Sequence, residues 1–375
     1  MRRLAPAVLA VSLAAPTVLA QSTPPRPRLA ADADTNDARS YYEWGRRPAM
    51  DWKSTYNAYY WAQRLEPGDI TYLRGLYVAF LNRHSFFWRR DYDRGVSRVA
   101  KSDDARLLDS LVSEIIMRDP YGDRRASCVF AEEREQQRDQ YFVGYVHYNN
   151  GCYSQANAAF AEALRNDGSL LLAHRYRAWS FYYQQLYDST VAELRLLIDS
   201  LRARDEKYLT QVYNSKAMFE YMIGFAEAHR HHWGPAREAY ERALTEDLAF
   251  YIAHQRMAEA ALEQSDVKTA LAEYELAVGL KPGNAVLRND YGRALYLAGH
   301  DAEAEAQLLE AVRLEPHWAR PYYNLAAALA SLKRTDEAIA QYEAFLARCP
   351  RRLASEAAEA RNRIAKLRLG GGPGR

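Results

Sequence analysis

Four alanines, Ala236, Ala270, Ala304 and Ala338, stand 34 residues apart. The same step links Gly224, Ala258, Gly292 and Ala326, then Tyr240, Tyr274, Leu308 and Tyr342, then Leu248, Pro282, Pro316 and Pro350. Small, large and helix-ending residues therefore recur in one register. A unit of that length cannot bury its own apolar side and must stack on a copy of itself. The constraint explains how a chain of 375 residues can form one array instead of several cores.

One copy, residues 285–318, shows the local logic. Val286, Tyr291, Leu295 and Leu297 give a first helix with apolar residues at helical spacing. Gly299 suits a helix end and tight turn, and Asp301 is placed to cap a second helix over 302–314. Glu315-Pro316 stops that helix, because proline cannot continue it and disfavours it one residue earlier. Gly292 and Ala304 are predicted to lie where the two helices cross, with Tyr291, Leu295 and Leu308 filling the space around them.

These copies resemble the tetratricopeptide repeat. The resemblance implies an all-α chain, a right-handed α-solenoid of stacked helix–turn–helix repeats whose first helices line a concave groove. Residues 217–352 hold four copies. Gly144, Ala156, Phe160 and Ala163 reproduce the pattern upstream, and Ala178, Leu194 and Leu197 do so with Thr190 in an alanine's place, so repeats also cover 137–204. The next copy starts 12 residues late, which predicts longer helices or a protruding insertion over 205–216.

Residues 38–136 read as a helical, degenerate repeat-like region that caps the array. Gly45 and the run from Ala62 to Pro67 suggest one copy, with Thr55 where alanine is expected. Helices are predicted over 70–88 and 103–118, the latter with Leu107, Leu108, Leu111, Ile115 and Ile116 on a stripe. Residues 353–369 put Leu353, Ala357, Ala360, Ile364 and Leu367 on one face and charges on the other, as a C-terminal capping helix requires. Residues 21–37, rich in proline and then polar, read as a flexible leader, and 370–375 as a flexible tail.

Residues 1–20 open with Arg2-Arg3, continue through a short apolar run and end at Val18-Leu19-Ala20, the pattern of a secretory signal peptide. Pro6 and Pro16 argue against a spanning helix, so no transmembrane segment is expected in the mature chain. The expected location is the bacterial periplasm or beyond. Export permits disulfides; Cys128 and Cys152 are candidates for one, and Cys349 for a partly buried small residue.

Fifty Lys and Arg balance 48 Asp and Glu, so charge offers no reason for nucleic acid as a partner. The 28 tyrosines are the unusual count. Repeat geometry turns Tyr141, Tyr145 and Tyr148, then Trp179, Tyr182 and Tyr183, then Tyr221, Phe225 and His229 towards the groove, each set sharing a helix face. Downstream the groove is more polar, with Gln255, Glu259, Asn289, Arg293, Tyr296, Arg320 and Tyr323. Such rings bury area and keep a polar edge for a ligand, or else they pack between repeats. The carboxylate clamp of chaperone-binding relatives needs Lys and Asn where Tyr141 and Tyr145 stand, so that ligand class is not implied.

His229, His231 and His232 crowd one turn without a fourth ligand, so no metal site is expected. Residues 265–268 have the S-x-x-K form of some acyl-transfer enzymes, but they open a second helix, where Ser265 and Asp266 serve as capping residues. No phosphate loop or catalytic motif is present. The expected function is a non-catalytic scaffold without cofactors, binding a protein or peptide of the cell envelope. The alternative is an envelope glycan stacked on the tyrosines.

Overall fold

A computed structural model describes residues 23–47, 50–83, 111, 114–115, 117–119, 140–149, 151–168, 170–202 and 215–370. The expected signal peptide, the loop and helix start over 84–110, Cys128 and most of the 205–216 insertion lie outside the described residues. Among the described residues every regular element is helical. In chain order they begin with α1 (Ala38–Gly45), α2 (Trp52–Leu65), α3 (Ile70–Arg83), α4 (Gln140–Asn149) and α5 (Tyr153–Asn166). There follow α6 (Leu171–Tyr183), α7 (Tyr187–Arg202), α8 (Lys216–His229), α9 (Trp233–Glu246), α10 (Tyr251–Glu263) and α11 (Val267–Leu280). The last are α12 (Ala285–Leu297), α13 (Asp301–Leu314), α14 (Ala319–Ser331), α15 (Thr335–Arg348) and α16 (Ala354–Arg368). The chain is an α-solenoid of consecutive hairpins, and it divides into two compact units. One unit holds the described residues up to 111 together with 281–370; the other holds those from 114 to 280.

The six hairpins from α4–α5 to α14–α15 turn in the same way. Gly151, Gln185, His231, Ser265, Gly299 and Lys333 have φ between 58° and 84°, in the left-handed region. The next residue sends its N–H back to a carbonyl five positions earlier, as Cys152 does to His147, Asp266 to Ala261 and Arg334 to Leu329. This 6→1 bond satisfies a carbonyl that the helix end leaves open. Asp266 caps the following helix through Thr269 N–H, at 3.2 Å. The expected cap at Asp301 is corrected: His300 holds the cap position and Asp301 is the first helical residue.

Helices cross where the small residues recur. A Cβ on Gly144 would lie 2.6 Å from the Phe160 ring, one on Gly224 2.4 Å from the Tyr240 ring, and one on Gly292 2.6 Å from Leu308 Cγ. Ala236, Ala270, Ala304 and Ala338 are fully buried against these contacts. Thr190 is equally buried, and its hydroxyl donates to Leu186 O at 3.1 Å, so the polar replacement is satisfied within its own helix. The longer spacing after this repeat is partly absorbed by α7, which has 16 residues where the other second helices have 14.

A second device recurs at one position in four of the repeats. His174 bonds Glu193 at 2.5 Å and Gly168 O at 3.3 Å; His254 bonds Glu273 at 2.6 Å and Leu248 O at 3.2 Å. At the equivalent place Arg288 donates to Gln307 at 2.6 Å and to Pro282 O at 3.0 Å, and Tyr322 donates to Pro316 O at 3.0 Å. Each ties a first helix to the loop that enters it.

In the unit that includes both ends of the described chain, the N-terminal hairpin packs on the loops of the last repeats. Arg64 and Glu315 pair at 2.8 Å, the Trp61 and His317 rings lie 5.0 Å apart, and Arg352 reaches both Asp37 and Glu66. The expected flexible leader is corrected. Trp61 Nε1 donates to Pro24 O at 2.9 Å, Arg26 lies over the Trp61 ring at 4.9 Å, and Asn36 donates to Ala347 O at 2.9 Å. The acidic stretch Asp32–Asp37 meets the basic Arg348–Arg352, which is the physical reason it is held. The small residue of this hairpin is Ala58, not Thr55: Gly45 faces Ala58 and the Tyr59 ring. At the C-terminal end, α16 buries Ala357, Ala360, Ile364 and Leu367, while Leu353 stands in the short 3-10 turn before it.

Candidate functional site

The aromatic stripe separates into a core and a face. Tyr176 gathers the core: its ring lies 5.1 Å from Tyr145, 5.3 Å from Tyr148 and 5.2 Å from Trp179, with Tyr141 and Phe160 a little farther out. Tyr153 stacks on Tyr183 at 4.9 Å. Tyr148 and Trp179 are buried, so both are corrected from groove to packing between hairpins. Tyr141, Tyr145 and Tyr183 keep a partly exposed edge but turn their rings into the same block. Tyr176 stands three residues before Trp179, the spacing that extends the same stripe, so its place in the block was legible although it was not among the expected site residues.

The face is shared by α6, α8 and α10, first helices of successive hairpins. Tyr182, Phe225 and His229 meet there: Tyr182 lies 6.2 Å from Phe225, and Phe225 4.6 Å from His229, ring to ring. His229 Nδ1 lies 2.8 Å from Phe225 O, so it donates there and leaves Nε2 to accept from the Tyr182 hydroxyl at 3.2 Å. Arg256 lies over Phe225 at 5.4 Å and pairs with Glu259 at 2.7 Å, while Gln255 is buried and donates to Glu259 at 3.1 Å.

Tyr221 is fully buried at the root of this face. Its hydroxyl donates to Met117 O at 2.6 Å, and the Tyr251 hydroxyl donates to Glu114 Oε2 at 2.9 Å. Glu114 and Met117 of the same chain therefore lie on the face, and Glu114 also pairs with Arg118 at 2.7 Å. Burial pushes the Tyr221 hydroxyl up to about 12 against the pull of Arg256, so it stays a donor. Burial, and next the Asp119 charge, raise Tyr182 as well. Tyr251 and Arg256 were not among the expected site residues, because no repeat position singles them out.

Of the polar downstream set, Asn289, Arg293, Tyr296, Arg320 and Tyr323 belong to the other unit. Asn289 is buried, accepting from Asn324 at 2.9 Å and donating to Asp290 at 3.1 Å, so its expected groove role is corrected to a bond between adjacent repeats. Tyr323 is half-buried, 5.2 Å from Phe345 and 5.5 Å from Tyr342, under the Arg363 side chain of α16. Arg293 and Arg320 are exposed and Tyr296 is half-buried.

The turn histidines have separate partners. His232 pairs with Glu227 at 3.1 Å, and His231 packs its ring on Trp233 at 5.5 Å. Among the described residues no three metal-ligating side chains converge, and no helix is long and apolar enough to cross a membrane. Cys152 is exposed in its turn; its expected partner Cys128 lies outside the described residues.

A family model described as tetratricopeptide repeat matches residues 319–351, the hairpin of α14 and α15. No curated protein matches the chain. Among solved structures, the C-terminal part of a TPR repeat-containing protein from Cytophaga hutchinsonii is similar at 15% identity, over 60% of this chain and 84% of that one, with a TM-score of 0.49. YrrB, described as a TPR protein with an unusual peptide-binding site, is similar at 16% identity over 52% of this chain and 93% of that one, TM-score 0.42. PilW, described as a type IV pilus biogenesis factor, is similar at 17% identity over 56% and 91%, TM-score 0.42.

Proposed function

We propose that the chain, whose residues 319–351 match the tetratricopeptide-repeat model, is a non-catalytic scaffold that binds a peptide segment of a partner protein on the face of α6, α8 and α10. One observation carries this reading: that face already receives polypeptide, with a hydroxyl for a main-chain carbonyl at Tyr221 and another for a carboxylate at Tyr251. Rings held on rigid helices lose little freedom on binding, so the surface is preorganised. The aromatic block around Tyr176 spends its stacking surface on itself, which gives the glycan alternative no open platform.

The charged start and short apolar run of residues 1–20 support export, and the partner is then a protein of the bacterial envelope. The test is capture of partners from envelope extract by the mature chain, compared with Tyr182→Ala plus Phe225→Ala. Loss of capture with an unchanged melting curve is the expected result. Undiminished capture would overturn the assignment of the face. Cell fractionation that finds the chain in the cytoplasm with Met1 intact would overturn the location.

A further inference from the structure

The stretch Pro24-Pro25-Arg26-Pro27 has little choice of shape. Each proline fixes its own φ near ~−65° and biases the residue before it towards extended backbone, so Thr23, Pro24 and Arg26 are restricted as well. Such a sequence favours the polyproline II helix, which makes no internal hydrogen bonds and leaves its carbonyls to other donors. Residues 23–30 carry neither helix nor strand. Trp61 takes one of those carbonyls, its Nε1 donating to Pro24 O at 2.9 Å. Arg26 meets two rings, its guanidinium carbon 4.9 Å from the centre of Trp61 and 5.2 Å from that of Tyr41. Its Nε donates to the Tyr41 hydroxyl at 2.8 Å, and its Nη2 donates to the Thr35 carbonyl.

The groups of this slot are held by helices or by the turn that enters α1. Tyr41 is buried on α1, and Trp61 stands on α2 with His317 edge-on at 5.0 Å. Two separate acceptors suit the planar fork of arginine, which also stacks on aromatic faces; lysine is a point charge and does not span both. Aromatic-lined grooves read proline-rich segments in this manner, with a ring N–H for a carbonyl and rings for the stiff backbone. We infer that Tyr41, Trp61 and the Thr35 carbonyl form a second binding site, which takes an extended Pro-Pro-Arg-Pro segment of a partner protein, and that residues 24–27 fill it in cis. The site does not depend on the face of α6, α8 and α10. Ligand and slot are both stiff, so little freedom is lost when they meet. The resident segment is favoured by its covalent attachment, and a free one binds with an affinity reduced by the fraction of slots left open.

The probe is a fluorescein-labelled synthetic peptide with the sequence of residues 23–28, followed by anisotropy. The protein is the full mature chain with Pro24→Gly, Pro25→Gly and Arg26→Gly, which empties the slot without altering a helix. This variant should bind the peptide about tenfold more tightly than the unaltered chain. A peptide carrying Arg26→Lys should bind the variant several-fold more weakly. Adding Trp61→Phe to the variant keeps a ring, removes the N–H and should abolish the gain. If that change lowers the melting temperature sharply, Tyr41→Phe, which removes only the hydroxyl acceptor, is the second variant and should reduce the gain. Equal binding by the altered and unaltered chains, or of the arginine and lysine peptides, would overturn the site. A complex of altered with unaltered chains in sedimentation would make the occupant a second copy and overturn the partner.

Discussion

Arg64 and Glu315 are 251 residues apart in the chain and 2.8 Å apart in space. Their pair joins the N-terminal hairpin to the loop before α14, beside the contact of Trp61 with His317. The second carboxylate oxygen of Glu315 is buried with no hydrogen-bond partner. Burial raises this carboxyl to about 7, and Arg64 only partly opposes the rise. A folded value above the unfolded one means that the folded chain keeps a proton the unfolded chain has released. Stability therefore falls as pH rises from about 4.5 to about 7 and is level above that. The span corresponds to about 3 kcal/mol at most. Glu315→Gln should raise the melting temperature at pH 8 and leave it nearly unchanged at pH 4.5. A gain of equal size at both pH values would rule out this account.

His254 adds a slope of the same sign. Burial works against its charged form, but the Glu273 hydrogen bond, the Leu248 carbonyl and the Glu273 charge together raise its pKa. The stabilisation is complete below the ordinary histidine range and is lost as pH rises through the folded value. Denaturant melts of His254→Gln should show a larger loss at about pH 5.5 than at about pH 8.5. The reverse order would mean that the imidazole is held neutral.

Two helix glycines should respond in opposite ways. A Cβ on Gly224 would stand 2.4 Å from the Tyr240 ring, whereas one on Gly279 meets nothing within 4 Å. Gly224→Ala should cost about 1–3 kcal/mol by overpacking. Gly279→Ala, on the exposed side of α11, should add about 0.5–1 kcal/mol through helix propensity. Thermal melts of both variants compare the two effects directly. A neutral Gly224→Ala would mean that the α8–α9 crossing is looser than these distances.

The parts of the fold that repeat were legible from the residues alone. Gly224, Gly292 and the four alanines recur because each hairpin meets the same steric demand at its crossing. The exposed edge of the site was partly legible, since spacing put Tyr182 on one helix and Phe225 and His229 on the next. Spacing tells which residues share a face and not what covers that face. Tyr148, Trp179 and Asn289 were therefore read as groove although they are buried. The contacts of Arg64 with Glu315 and of Tyr221 with Met117 join segments with no common period. Only the acidic run near Asp34 and the basic run near Arg351 carried a sign of one such contact in their charges.

The hairpin turns supply the last prediction. Lys333 holds a φ of 60° in the turn between α14 and α15, where Gly299 serves one repeat earlier with a φ of 84°. A side chain in that region crowds its own carbonyl, at a cost of roughly 1–2 kcal/mol that glycine avoids. Glycine also gives the unfolded chain more freedom, which takes back about half of the gain. The 6→1 bond from Arg334 N–H to Leu329 O, 3.0 Å long, needs only the backbone and survives the change. Lys333→Gly should therefore stabilise the chain by about 0.5–1 kcal/mol. Ser265→Gly, at a φ of 61°, should do the same within the other unit. Lys333→Ala removes the long side chain but keeps the Cβ, so it should give no such gain. Equal melting temperatures for the glycine and alanine variants would show that the left-handed turn carries no strain.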